Sequence, residues 1–330
     1  MLAGMAAEQT PVLVVGAGII GLTSAVRLAE QGVPVRIVAD LPPARTTSAV
    51  AGALWEPYLV EHPDQDRWGR VAYRRFVAEA TDPATGVRIV SGVDAIRDPR
   101  PVPDWARAMP DFAEIDPAGL PDGFVGGWRF STALIDMPVY LGFLTDRLAA
   151  LGVPVEHAHV DDLAEAAGTA PVVVNCTGHR AGTLTGDDVV QPVRGQIVVV
   201  RNPGITEFFT GTGDSGTMTY LLPHGDRLLV GGSAEKGADR PEPDERLGRE
   251  ILARAVAMFP ELAGAQVLGQ RVGFRPYRTP IRVEHEELGG GHVIHNYGHG
   301  GAGVTLSWGS AEDVAGLVRE LLSRPGAGRG

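Results

Sequence analysis

Pro11–Asp40 reads PVLVVGAGIIGLTSAVRLAEQGVPVRIVAD, and its order decides the fold. Val12–Val15 is a short apolar run, fit for a strand buried in a parallel sheet. Gly16, Gly18 and Gly21 follow it as G-x-G-x-x-G. Leu22, Ala25, Val26, Leu28 and Ala29 then give a helix its apolar face. Gly32 stops that helix, and Val35–Ala39 is a second strand ending at Asp40. One glycine makes the tight turn, the second lets bare backbone approach a pyrophosphate, and the third lets helix and strand pack closely. The free N–H groups and positive dipole end at the helix start attract phosphate.

Asp40 stands where an acid would hold ribose hydroxyls, about 20 residues after the glycines. Its charge argues against a 2′-phosphate, but it does not separate FAD from NAD. The stretch after it, RTTSAVAGALWEPYL, bears on that choice. It is not a second compact strand–helix–strand unit. Thr46, Thr47 and Ser48 are three hydroxyls in a row, and Gly52 and Ala53 permit close backbone approach, which suits the wall of an extended cofactor.

The rest of the chain divides into two textures. Val139, Tyr140, Phe143, Leu144 and Leu148 recur at helical spacing, and Val153–Val155 reads as a short strand. APVVVNCTG is a second strand that runs into a turn of small residues. HVIHN is another strand, and a helix runs from about Val304 to Leu322, with Val314, Leu317, Val318, Leu321 and Leu322 as its buried face. Between these lie QPVRGQIVVVRN, EFFTGTG, TMTYLLPHG, RLLVGGSAEKG and QRVGFRPYRTPIRV, short β-rich runs with Gly, Pro or Asp turns. One helix interrupts them, capped by Asp244, with Leu247, Ile251, Leu252, Ala255 and Met258 on its apolar side. The expected fold is therefore α/β, and α+β overall. A Rossmann-like nucleotide-binding domain is assembled from 1–56, 132–190 and 284–330. A β-rich substrate domain, a large mixed sheet plus helices, takes 57–131 and 191–283.

Composition narrows the function classes. A length of 330 residues suits about two domains. The net charge of −11, with no basic stripe, excludes nucleic acid and anionic membrane as expected partners. Cys176 is the one cysteine, so no intrachain disulfide forms. It sits in an apolar strand and is expected to be a small buried residue. Lys236 is the one lysine, which leaves little room for Schiff-base chemistry. The nine histidines show no metal-ligand spacing, so no metal is expected. The first residues carry neither the basic region nor the apolar run of a signal peptide, and the last carry no peroxisomal tripeptide, so a bacterial cytoplasmic location is expected. Monomer or homodimer is left open.

VVGAGIIGL, TTSAVAGALWEPY, VVVNCTG, QPVRGQI, GFRPYRTPIRVE and VIHNYGHGGAGVTLSWG together resemble the D-amino-acid oxidase family. The likeness covers the chain from about Thr10, and its last two stretches are the most specific. The resemblance implies FAD and the oxidation of a D-amino acid by O2 to a 2-oxo acid, ammonia and hydrogen peroxide. It implies that Arg275 binds the substrate carboxylate, that the Tyr220 hydroxyl contacts the same group, and that the Gly301 carbonyl accepts the substrate amine. For the flavin it points to Gly16, Ala17, Gly18, Ile19, Ile20, Gly21, Asp40, Thr46, Thr47, Ser48, Gly52, Ala53, Leu54, Val160, Thr177, Arg275, Gly300, Gly301, Gly303, Val304 and Thr305. His299 is expected to be structural or to support these residues.

Two departures stand out. Gly216 occupies the position of a lid tyrosine in the animal members. Glu56 replaces a glutamine, and as an anion at the pocket rim it is expected to repel acidic substrates and favour neutral or basic ones.

The chemistry stands on the residues as well. Arg275 offers a planar fork that matches a carboxylate, whereas Arg278 and Arg282 are expected to be surface charges. No dedicated base is evident. A neutral amine can assist loss of a hydride from Cα to flavin N5, and orientation alone is worth about 7–11 kcal/mol of barrier. D-Aspartate oxidase and glycine oxidase are the nearest alternatives. A NAD-dependent dehydrogenase and a flavin-binding protein without turnover are alternatives of other classes.

Overall fold

The computed structural model describes residues 10–57, 61–212 and 218–324. The opening stretch folds as its pattern dictates. Strand β1 (Val12–Val15) enters helix α1 (Ile19–Glu30), and β2 (Val35–Ala39) returns parallel to β1. A Cβ at Gly21 would stand 1.8 Å from the Gly16 carbonyl oxygen, so this glycine is what lets α1 lie against the turn. The chain then makes α2 (Thr47–Val50) and α3 (Gln65–Glu79). Next come β3 (Val87–Ile96), α4 (Asp104–Arg107), β4 (Ala113–Ile115), β5 (Gly126–Ile135) and α5 (Met137–Ala150).

A second parallel section follows. It holds β6 (Val155–His157), α6 (Leu163–Ala167), β7 (Val173–Asn175) and α7 (Ala181–Thr185). β6 begins at the last residue of the expected strand, because Gly152 turns the chain at φ +78° and Val153 is buried below the sheet edge. Then come the β-rich runs: β8 (Gln191–Arg201), β9 (Phe208–Thr212), β10 (Met218–His224), β11 (Arg227–Gly231) and β12 (Glu235–Lys236). Helix α8 (Glu245–Met258) is capped by Asp244, whose carboxylate accepts from the Arg246 and Leu247 amides. The long β13 (Val267–Leu288), β14 (Gly291–His299) and α9 (Gly303–Ser323) complete the chain.

All but β12 lie on one path, β4-β5-β3-β9-β10-β11-β8-β13-β14-β7-β1-β2-β6, and β12 pairs with β8. The run from β14 to β6 is parallel. From β13 to β4 every pair is antiparallel except β3 with β9. The strand β14 joins the two textures, antiparallel to β13 and parallel to β7, and two of the expected boundaries fall inside β5 and β13.

Helices α1, α3, α5 and α9 pack on one another beside the parallel strands. A Cβ at Gly309 would meet the Trp68 backbone at 2.1 Å, which is how closely α9 and α3 approach. The Tyr140 hydroxyl donates to Glu79 at 2.8 Å and accepts from Trp308 Nε1 at 2.8 Å, so the buried polar atoms of three helices satisfy one another. Val314, Val318 and Leu321 face this core. Leu322, expected there too, is 37% exposed, because it lies about 100° round the helix from Leu321 and only one of the two can point inward. Arg278 and Arg282 are not free surface charges. Arg278 pairs with Asp187 at 2.7 Å, and Arg282 bonds Tyr297, Glu284 and Glu286.

Candidate active site

One cavity of about 820 Å³ joins the carboxyl ends of β1, β2 and β7 to residues of β8, β9, β10 and β13 and to the turn after β11. Its first end is made of backbone. Gly16 holds φ at +107°, and a Cβ there would lie 2.5 Å from the Cys176 carbonyl. Ala17, Gly18, Ile19 and Ile20 line the wall, while Gly21 stands behind it in the packing role described above. The first turn of α1 carries no acidic residue, and its Ile19 amide donates to Ser48 Oγ at 2.9 Å. The positive end of that helix is therefore turned toward the cavity with little to neutralise it. Thr46, Thr47 and Ser48 form the facing wall, with Val160 and Thr177 beyond them.

Asp40 lines the cavity as expected, but it is already engaged: Arg180, which follows β7, forms an ion pair with its Oδ2, and His159 Nδ1 stands 3.8 Å away. Cys176 is buried, with its thiol pushed up to about 12 by burial.

The second end is made of side chains on antiparallel strands. Asp94, Thr210, Tyr220, Gly231 and Ile197 are successive partners across β3, β9, β10, β11 and β8, so they share one face of the sheet. Tyr220 lines the cavity over bare backbone: a Cβ at Gly231 would lie 2.1 Å from its Cζ, and one at Gly52 would lie 3.5 Å from its Cε2. Arg275, on β13, rests over a second bare position, for a Cβ at Gly195 would meet its Nη1 at 2.5 Å. Its Nη1 donates to the Ser233 carbonyl at 3.0 Å, and among the described residues no carboxylate is within ion-pairing distance of it.

Gly300, Gly301, Gly303, Val304 and Thr305 bring the α9 N-terminus to the same wall. Gly298 and Gly300 take positive φ, and among the described residues the Gly301 carbonyl accepts no backbone hydrogen bond. Ala53 is held at φ +58°, a conformation that costs an alanine of order 1 kcal/mol and marks a constrained stretch of wall beside Gly52 and Leu54.

Glu56 is half-buried in this wall, its carbonyl accepting from Thr305 Oγ1 at 3.0 Å. Desolvation pushes its carboxyl well above the usual range, nearby Asp94 adds to the effect, and Arg100 opposes it. The expected rim anion is thus a carboxyl whose charge its surroundings disfavour, which weakens the repulsion of acidic substrates expected from it. The other departure, Gly216, lies outside the described residues.

The family model of FAD dependent oxidoreductases matches residues 11–317. The chain belongs to that family. Among curated relatives, a D-amino-acid oxidase of Rubrobacter xylanophilus is 45% identical over 315 residues, covering 94% of this chain and 96% of that one. A D-amino-acid oxidase of Streptomyces coelicolor is 46% identical over 93% and 96% of the two chains. Among solved structures, glycine oxidase from Geobacillus kaustophilus superposes with a TM-score of 0.76 at 21% identity, over 95% of each chain, and this likeness speaks for the fold.

The cavity fits the family's cofactor on its own evidence. The turn from Gly16 to Gly18 is open toward the positive end of α1, and Asp40 and Thr177 stand at the strand ends beside it. Asn296 and His299 line the cavity too, and among the described residues Asn296 Oδ1 and His299 Nε2 are buried without a hydrogen-bond partner. Burial pushes His299 down to about 3, so its imidazole is neutral at neutral pH.

Sequence reasoning missed Gly195, Thr210, Arg180 and Arg254 in this wall, and Gly231 beneath the Tyr220 ring. The glycines had a signal, since glycine inside a strand marks a close approach. The others had none, because only the strand order brings them together.

Proposed function

We propose that the chain is an FAD-dependent D-amino-acid oxidase, converting a D-amino acid, O2 and water to a 2-oxo acid, ammonia and hydrogen peroxide. The observation that carries this reading is the Arg275 guanidinium, with no carboxylate in ion-pairing distance among the described residues, mounted in one cavity with the glycine turn of α1. Bound FAD supplies the electron chemistry, taking up a hydride at N5 and passing electrons to O2.

The chain supplies geometry. Arg275 takes the α-carboxylate in a two-donor fork, the Tyr220 hydroxyl adds a donor, and the Gly301 carbonyl accepts from the amine. With those points fixed, only one enantiomer presents its Cα–H to the ring, and the other would present its side chain. Gly16, Ala17, Gly18, Ile19, Ile20, Asp40, Thr46, Thr47, Ser48 and Thr177 hold the dinucleotide. Gly52, Ala53, Leu54, Val160, Gly300, Gly303, Val304 and Thr305 shape its bed, and Gly21 fixes the turn. The N-terminus of α9 favours negative charge where the ring would gather it.

Residues 1–56, 132–190 and 284–330 form the cofactor half of the proposal, and 57–131 and 191–283 the substrate half. Neutral side chains suit the largely apolar wall. Basic ones depend on ionised Glu56, and the ratio of D-arginine to D-aspartate rates in Glu56→Gln measures that dependence. A cytoplasmic location and assembly as a homodimer complete the proposal, to be checked by cell fractionation and light scattering. The main test is a panel of D- and L-amino acids with peroxide readout. Peroxide from D-isomers alone is expected, and none from any D-amino acid by FAD-loaded protein would overturn the assignment.

A further inference from the structure

Arg275 has a companion. Arg254, on α8, lines the same cavity. It is half-buried, and its Nε is enclosed without a hydrogen-bond partner. Its Nη2 reaches only the Gly232 carbonyl, at 3.3 Å. Among the described residues no carboxylate is within ion-pairing distance. Glu250, one helical turn earlier, acts on it from farther off, and burial disfavours its charge.

The mounting is specific. Gly232 and Ser233 are consecutive, and their carbonyls accept from Arg254 and Arg275 respectively. Only a glycine fits at the first of them, because a Cβ at Gly232 would overlap the Met218 carbonyl oxygen at 1.5 Å. Two guanidinium groups thus donate to consecutive carbonyls in one cavity. The nearby acids do not cancel them. Glu235 is engaged by buried Arg194, and the surroundings of Glu56 disfavour its ionised form. A half-buried cation that lines a ligand chamber with no carboxylate in ion-pairing distance among the described residues is complementary to an anion.

We propose that Arg254 is a second carboxylate-binding position of the substrate chamber, which lets the enzyme hold D-aspartate or D-glutamate by both ends. This rests on the oxidase reading for its substrates, but not for its ligand chemistry. The carboxylate can come from two sources: the side chain of an acidic substrate, or the α-carboxylate of any amino acid on its way to Arg275.

The test uses the FAD-loaded wild type, Arg254→Gln and Arg254→Lys. Malonate and benzoate are titrated against the flavin absorption band, and kcat and KM are measured for D-aspartate and D-alanine at two ionic strengths. Arg254→Gln is expected to weaken malonate about tenfold or more, to leave benzoate within about twofold, and to be rescued largely by lysine. A loss of kcat/KM confined to D-aspartate identifies the side-chain carboxylate. An equal loss on both substrates, with kcat intact and the salt dependence gone, identifies capture of the α-carboxylate. Malonate that leaves the wild-type spectrum unmoved, or binds equally to wild type and Arg254→Gln, overturns the proposal. Should no D-amino acid bleach the flavin, the oxidase reading fails, while the malonate titration still judges Arg254. Arg254→Lys with normal flavin content guards against mistaking misfolding for lost binding.

Discussion

The two ends of the cavity are built by opposite means. The nucleotide end is backbone: Gly16 in a left-handed turn, a bare Gly18, and the amides at the start of α1. The substrate end is side chain: Tyr220 and Arg275 reach in from β10 and β13, over Gly231 and Gly195, which are cleared to receive them. A backbone site is fixed by its own turn and helix. A side-chain site depends on how far-apart strands pair, and it depends on the glycines as much as on the groups that touch a ligand. Substitutions should therefore separate the ends.

A large effect, of the same order as loss of a charged contact, is expected from Gly231→Val, which drives a branched side chain into the Tyr220 ring. Displacement of a site group by about 1 Å costs on the order of 100-fold in kcat/KM, and flavin content should stay at the wild-type level. Lost flavin would mean that the ends are not separable. Arg275→Ala leaves a substrate carboxylate without its charged partner, a loss of about 2–5 kcal/mol that should appear in KM, with the FAD dissociation constant unmoved. At the other end, Asp40→Asn removes the acceptor charge and frees Arg180. It should weaken FAD by about 1.5–3 kcal/mol, leaving the KM of the FAD-saturated enzyme intact.

Smaller effects come from buried titratable groups. His299 is neutral in the fold down to about pH 3, whereas its unfolded counterpart protonates near 6.5. Its contribution is thus complete above about pH 6.5 and falls as pH drops toward 3. Between pH 7 and 4.5 the wild type should lose more thermal stability than His299→Asn. The smallest effect is at Cys176: with its thiol near 12, it should resist a thiol reagent at pH 8 and react only after denaturation.

The same contrast explains what could be read in advance. Strand, glycine turn, helix and Asp40 were legible in thirty consecutive residues because each step is local. The Asp244 cap of α8 was legible for the same reason. Arg275 and Tyr220 were legible through resemblance, since nothing near either residue says that the other faces it. Arg180 on Asp40, Thr210 on Asp94 and Arg254 beside Arg275 arise from strand order and helix placement, which no local pattern encodes. Glu56 was read correctly as a wall residue. The upward push on its carboxyl was not legible, because desolvation belongs to the folded environment.

The central claim is that one cavity brings a D-amino acid, held on Arg275, against a flavin held on the α1 turn. Anaerobic titration of the yellow holoenzyme with D-alanine and then with L-alanine tests it most directly. The account predicts complete bleaching of the flavin band by D-alanine, none by L-alanine, and bleaching on the order of 100-fold slower by D-alanine at the same concentration in Gly231→Val with its flavin retained. Protein that takes up no FAD on reconstitution, or a flavin that both enantiomers bleach alike, would contradict it.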